Sequence, residues 1–413
     1  QREDYDLILI PELSLRSTVD FNESNATNAS VFDELITDEQ LMDYGSQVKP
    51  ALTISRAWNA ATGKTLQPPA LLQDLPEFYT ETMRETAQLL CDRTQALFAQ
   101  IPDNQTNTSR YESAQDFYNQ SLLAGEQLYS KASYCFSANL PLQGILVDQY
   151  TPSVITGNAN RLVYAIQEYR QEIDQLQLIS FTDLETYGIV KERLLEAEEV
   201  LEEGLREDNV TATELAYAIE RYESALAWSR FFGTDSRRVQ LDDESIQRAC
   251  YQELQSVETR MSYLTSIFPN SFLTSVREQL DGAYTYVEDE EHALCLFKAS
   301  KAKAHANLFF TTLALSESQM PYVIDAKHQA AYSILAQQAL QFPLLGYSYT
   351  EYSAALKEES PYSALLFAEY GVVFSDVSGY FPSQEEHFFS QLFNRKDQIT
   401  YFAIGGVAGM VFM

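Results

Sequence analysis

Four cysteines, Cys91, Cys135, Cys250 and Cys295, are spaced to do one kind of chemistry, oxidation to disulfides. Cys91 and Cys135 are 44 residues apart, and Cys250 and Cys295 are 45 apart. No Cys-x-x-Cys and no histidine-rich neighbourhood exists to make a zinc site of them. Each pair brackets a helix, a short polar or Pro-containing loop and a second helix. Pairing Cys91 with Cys135 and Cys250 with Cys295 would pin two helical hairpins of similar layout, which invites the reading of an old duplication. On the chain-entropy account each such bridge stabilises by roughly 3–4 kcal/mol. Buried free thiols are the alternative.

A second chemistry is written in the asparagines. Asn22, Asn25, Asn28, Asn104, Asn107, Asn119 and Asn209 each begin an Asn-X-Ser/Thr sequon without Pro at X. Three crowd into residues 22–30 and three into 104–121, which points to a glycosylated exterior. The competing explanation is that Asn, Ser and Thr share a preference for loops.

Other chemistry is hard to find. The chain has no Gly-x-Ser-x-Gly elbow, no His-Glu-x-x-His, no phosphate loop and no dinucleotide fingerprint. His292, His305, His328 and His387 are scattered; the first two could share a helix, yet would lie about 20 Å apart on it. They read as surface or packing residues, and no cofactor or metal is expected. The acidic run Lys191–Glu207 could be taken for a carboxylate metal site, but a solvated helix face is the better reading. With 59 acidic against 28 basic residues and a net charge of -31, the chain is repelled by nucleic acid and has no basic cluster for anionic lipid.

The elements that must hold these residues are mainly helical after residue 70. Glu77–Ala99 sets Phe78, Met83, Ala87, Leu90, Ala96 and Leu97 near a 3.6 period, and Arg110–Cys135 repeats the style. Capping boxes are expected at Thr182 with Glu185, Thr211 with Glu214, and Ser383 with Glu386. Breaks are expected at Pro102, Pro141, Pro152, Gly204–Asn209, Gly233, Pro269, Pro321, Pro343 and Pro361, giving ten or so helices in a large all-α assembly of hairpins. At the end, Ile399–Met413 carries no charge and reads as lipid-facing, although at about 22 Å it falls short of a full crossing. A continuous helix Glu385–Met413 entering the bilayer is expected, with Gly405 and Gly409 as a small-residue packing face. With Gln1 at the other end, both termini read as cut from a longer polypeptide.

The first 66 residues differ. Leu7–Pro11 reads as a buried strand, followed by a sequon-rich loop, a helix at Thr37–Ser46, a strand at Ala51–Ser55 and a helix Arg56–Thr62 closed by Gly63 at C′. This order implies parallel strands of an α/β sheet, and two strands cannot cover both faces of one. The strand LILIP at Leu7–Pro11, the acidic helix with Leu41-Met42-Asp43-Tyr44-Gly45, the strand Ala51–Ser55 and the closing RAWNAATG at Arg56–Gly63 resemble the end of a Lon-type serine peptidase domain, in the archaeal membrane-tethered version with a helical extension. That family places its catalytic Ser and Lys upstream of the Leu7–Pro11 strand, and residues 1–6 contain neither, so the resemblance transfers no catalytic residue.

The expected organisation is therefore a Lon-like α/β tail over residues 1–66, an extracytoplasmic α-helical domain over 67–395 and the start of a transmembrane helix over 396–413. The resemblance implies a non-catalytic part of a cell-surface, single-pass, Lon-like peptidase, acting as anchor and scaffold or controlling substrate access. Its implied partner is the N-terminal fragment of the same precursor, which would supply the strands adjacent to Leu7–Ile10; a homo-oligomer is a further expectation. The other reading is a non-enzymatic glycosylated archaeal surface protein with a helical interaction or assembly domain.

Overall fold

The computed structural model describes residues 7–11, 47–51, 63, 70–234, 237–313, 315–338 and 341–381. The chain divides into two compact units, Gln1–Pro69 and Ala70–Met413. The expected helices at Thr37–Ser46, Arg56–Thr62 and Glu385–Met413, the Ser383 cap and Asn22, Asn25 and Asn28 lie outside the described residues.

In the first unit β1 (Leu7–Pro11) pairs in parallel with β2 (Gln47–Ala51), Leu7 opposite Gln47 and Pro11 opposite Ala51. The parallel pairing is as expected. Of the expected strand Ala51–Ser55 only Ala51 lies among the described residues, where it ends β2. Pro50 has no N–H to donate, which is tolerated at a sheet edge. Gly63 has a φ of 70°, the left-handed conformation of a C′ glycine.

The second unit is helical. Among the described residues its helices are α1 (Glu77–Phe98), α2 (Ser109–Leu123), α3 (Leu128–Val147), α4 (Pro152–Asp174), α5 (Phe181–Arg206) and α6 (Ala212–Trp228). They are followed by α7 (Asp243–Ile267), α8 (Thr274–Glu288), α9 (His292–Thr312), α10 (Met320–Gln337), α11 (Leu344–Leu356) and α12 (Pro361–Val377). The prolines at 152, 321 and 361 sit in first turns, where the missing N–H costs nothing. Pro141 does not break the chain as expected but lies inside α3. The break comes earlier, at Gly125, whose φ of 57° ends α2 and splits the long helix read over Arg110–Cys135. Among the described residues no helix is long and apolar enough to cross a membrane.

Both disulfides form as paired from the sequence, Cys91–Cys135 with Cα atoms 5.0 Å apart and Cys250–Cys295 with 5.7 Å. Neither pins a two-helix hairpin. The first joins α1 to α3 across α2, and the second joins α7 to α9 across α8. In each trio the third helix packs on both of the others. The two trios thus share one plan, a three-helix group stapled from first to third.

Helices α11 and α12 approach each other closely. A Cβ added at Gly346 would lie 2.6–2.7 Å from the Ser375 backbone, and one at Gly371 would lie 2.3 Å from the Thr350 hydroxyl. The Thr350 and Ser375 hydroxyls donate to their own helices at Gly346 O (2.8 Å) and Gly371 O (2.6 Å), so these small polar residues are buried without orphaned groups. Replacing Gly346 by Ala forces the helices apart. We expect Gly346→Ala to lower unfolding free energy by roughly 1–3 kcal/mol, read as an earlier urea midpoint at unchanged slope; a midpoint equal to wild type would contradict the close approach.

Candidate functional site

Six helices of the second unit pack in a closed cycle: α3 on α6, α6 on α5, α5 on α9, α9 on α12, α12 on α11, and α11 back on α3. Two carboxylates lock α11 into this ring. Glu185 on α5 is fully buried and accepts from the backbone N–H groups of Leu344 (2.7 Å) and Leu345 (3.1 Å), the first turn of α11. Pro343, the N-cap residue there, offers no side-chain acceptor, so the cap comes from another helix. Glu351 on α11 does the same for α3, accepting from Ser130 N (3.0 Å) and Ser130 Oγ (3.3 Å). Burial pushes the Glu185 carboxyl up to about 8 against these hydrogen bonds, and the Glu351 carboxyl up to about 7. The capping box expected at Thr182 and Glu185 is instead made by Ser180 and Asp183, which leaves Glu185 for this remote role. The box at Thr211 and Glu214 forms as read.

Inside the ring lies a cluster of charged and aromatic side chains. On α5, Glu192 meets Lys301 of α9 at 2.5 and 2.7 Å, and Glu196 meets Arg221 of α6 at 2.5 Å. Burial disfavours the charged Glu192, but Lys301 and the neighbouring Lys298 and Arg193 outweigh it and hold the carboxyl at about 2. About 21% of the Glu192 and Lys301 side chains still reaches solvent. Both side chains are thus largely desolvated while still touching solvent. Between these pairs Arg193 stacks on Trp228 of α6, 5.2 Å from its ring, and donates from Nε to Ser224 Oγ (2.9 Å) and from Nη1 to Ile189 O (3.1 Å). Burial, and then the nearby Arg221, lower the Arg193 pKa.

The other side of the cluster is aromatic. Tyr129 of α3 lies 5.8 Å from Trp228 and 6.1 Å from Tyr349 of α11, ring to ring. Tyr349 continues to Phe367 (5.8 Å) and Tyr370 (5.3 Å) of α12, and Tyr352 meets Phe367 at 4.8 Å. Tyr370 ends the row at the His305 ring, Tyr OH to Nε2 2.8 Å. Tyr129, Tyr349, Tyr352, Phe367 and Tyr370 are half-buried, and Trp228 is buried.

None of this cluster was singled out from the sequence. Its basic members are hidden in or opposite the acidic run, which is only partly the solvated face expected: Glu199, Glu202 and Glu203 are exposed, whereas Glu192, Glu196 and Glu198 turn inward to cations. The histidines divide as packing residues. His292 touches Gln247 and Tyr251, His305 touches Tyr370, and His328 is buried against Ser353 at 2.8 Å; His387 lies outside the described residues. Among the described residues no group of His, Cys, Asp and Glu is arranged to hold a metal ion. Of the sequons, Asn104, Asn107, Asn119 and Asn209 are all exposed, but Ser121 of the Asn119 sequon is buried within α2. No protein-family model, curated protein or solved structure matches the chain.

The two caps generate a pH dependence. A carboxyl whose folded pKa is raised favours folding below its unfolded value near 4.5, and that contribution is lost as pH rises through the folded value. For Glu351 and Glu185 the loss therefore runs through about 7 and about 8. Glu192, held at about 2, acts oppositely and withdraws support only as pH falls below about 4.5. His305 and His328, lowered chiefly by burial, favour folding at higher pH and lose that support as pH falls below about 6.5. Above that range the caps dominate, so the urea midpoint should fall between pH 7 and pH 9. Glu185→Gln and Glu351→Gln should each flatten that slope; a slope unchanged in both variants would refute the assignment.

Proposed function

We propose that this chain works outside the cytoplasm as a non-catalytic, disulfide-stapled helical part of a membrane-anchored surface polypeptide, binding or scaffolding rather than performing chemistry. The observation that carries this reading is the pair of bridges, since such cross-links persist in oxidising compartments and are rare in the cytosol. The exposed sequons at Asn104 and Asn107 support it. So does the charge of -31, which suits a surface facing solvent rather than nucleic acid.

The finer version of the reading is that the parent polypeptide is a Lon-like peptidase, for which this chain supplies the anchor and governs substrate access. The parallel pair formed by Leu7–Pro11 and Gln47–Ala51 favours it, because a two-stranded parallel sheet needs covering elements on both faces. In this version an N-terminal fragment of the same precursor, holding the Ser and Lys, supplies the neighbouring strands. A glycosylated surface protein with a helical assembly domain is the version without the peptidase.

Non-reducing peptide mapping of the protein from its native source tests the compartment. Both disulfides should be intact, with glycan on Asn104 or Asn107 and at least one of Asn22, Asn25 and Asn28; Asn119 should be poorly occupied because its Ser is buried in a helix. Free thiols together with clean peptides over all of these positions would overturn the extracytoplasmic reading. Intact-complex mass spectrometry tests the peptidase version separately, through the presence or absence of an accompanying fragment with a Ser/Lys pair.

A further inference from the structure

Four of the most exposed apolar side chains of the helical unit gather at one of its ends. Gln120, near the end of α2, donates to Glu359 in the α11–α12 turn (3.0 Å), and Lys357 of the same turn meets Asp325 of α10 at 2.6 Å. These two contacts bring three elements together, and each carries large apolar residues beside the contact. Leu122 and Leu123, just beyond Gln120, are 60% and 86% exposed; Tyr322, one turn before Asp325, is 77% exposed, and Tyr362, one turn after Glu359, is 58% exposed. A lone exposed apolar residue needs no explanation, but a group gathered by the fold marks a contact surface. Neither join of the described helices to the rest of the chain crowds this end. Leu72 donates to Tyr332 O (3.0 Å), and Tyr332 and Tyr79 both meet Tyr347 in the first turn of α11 (6.4 and 5.1 Å, ring to ring). Phe381 lies against Phe181 (5.9 Å) on α5, whose Glu185 caps that same turn. The apolar group is at the other end of α11, about 20 Å away.

The charges around it say what it fits. Lys357 is offset by Asp325, and Glu126, Glu358 and Glu359 add exposed carboxylates against the half-buried Lys131. A second copy meeting this end face to face would set carboxylates against carboxylates. A partner with Lys or Arg around an apolar stripe is complementary instead. We infer that this end of the unit docks a basic amphipathic segment of another protein, with its apolar stripe on Leu122, Leu123, Tyr322 and Tyr362 and its cations on the acidic rim. The inference rests on the binding half of the proposed function and not on its compartment, so peptide capture and the disulfide and glycan mapping can fail separately.

Photo-crosslinking of the full chain with a short amphipathic Leu/Lys peptide carrying a photo-reactive leucine tests this, with a scrambled peptide of the same composition as control. Adducts should map to the end of α2, the first turn of α10 and the α11–α12 turn. They should exceed those of the scrambled peptide by about tenfold and diminish at high salt, where the rim is screened. Leu122→Ser/Leu123→Ser and Tyr322→Ser/Tyr362→Ser should each weaken capture by about tenfold, whereas Tyr164→Ser, at a residue 68% exposed on α4, should leave it unchanged. Thermal unfolding of every variant checks that the fold survives. Adducts confined to other surfaces, equal capture of the scrambled peptide, or wild-type capture in both double variants would overturn the inference. A chain that sediments as a dimer and turns monomeric in those variants would also overturn it, since the occupant is then a second copy.

Discussion

A helix whose first turn is buried must find acceptors for its leading N–H groups, and in this molecule two glutamates from other helices meet that demand. Glu185 reaches from α5 to α11, and Glu351 reaches from α11 to α3. The short helix α11 is thus tied at its start to one neighbour and along its length to another, and through them the six-helix ring closes. Its opposite flank is settled by contact distance instead, where Gly346 and Gly371 let α12 approach backbone to backbone. Without these devices Tyr349 would not be held beside Glu192 and Arg193 of α5.

The interior continues the same logic with cations. Buried Glu220 receives a two-pronged Arg93 at 2.6 and 2.8 Å, Glu253 receives Lys303 at 2.9 Å with the Tyr380 hydroxyl, and Glu369 receives Lys327 at 2.6 Å with the Thr311 hydroxyl. Ionised pairs of this kind add less net stability than apolar packing would, but removing one partner strands the other in a poor solvent. They therefore act mainly to fix which helix faces meet. Among the described residues Lys191 is the one fully buried cation, against seven buried carboxylates, so the basic partners mostly reach in from half-buried positions.

The sequence carried the helical class, the cysteine pairing and the parallel strands, because each has a local or spacing signature. Helix boundaries were readable where Pro or Gly sits in a first turn or a C′ position. They failed at Pro141, which the surrounding packing accommodates inside α3, and at Gly125, where one left-handed residue split a continuous periodic pattern. On α1 the buried stripe runs through Thr82, Thr86 and Thr94 as well as the expected Met83, Ala87, Leu90 and Leu97, and Ala96 faces out. Hydropathy misses such threonines because Thr86 and Thr94 satisfy their hydroxyls on the preceding turn. The charged and aromatic cluster was invisible for a different reason. Its members come from α3, α5, α6, α9, α11 and α12, and no spacing rule links residues as distant as Tyr129 and Tyr349.

The first-to-third staples also decide how the protein bears tension. A pull along the chain that enters at Cys91 leaves at Cys135 through the sulfur–sulfur bond, so α2 and its loops carry no load; the same holds for α8 between Cys250 and Cys295. Each closed segment withholds about 150 Å of extended chain from stretching. Helices α2 and α8 can therefore open and reclose, or host bulky groups on their outer faces, while the stretched length of the molecule stays the same. Only reduction of the bridges would release that slack.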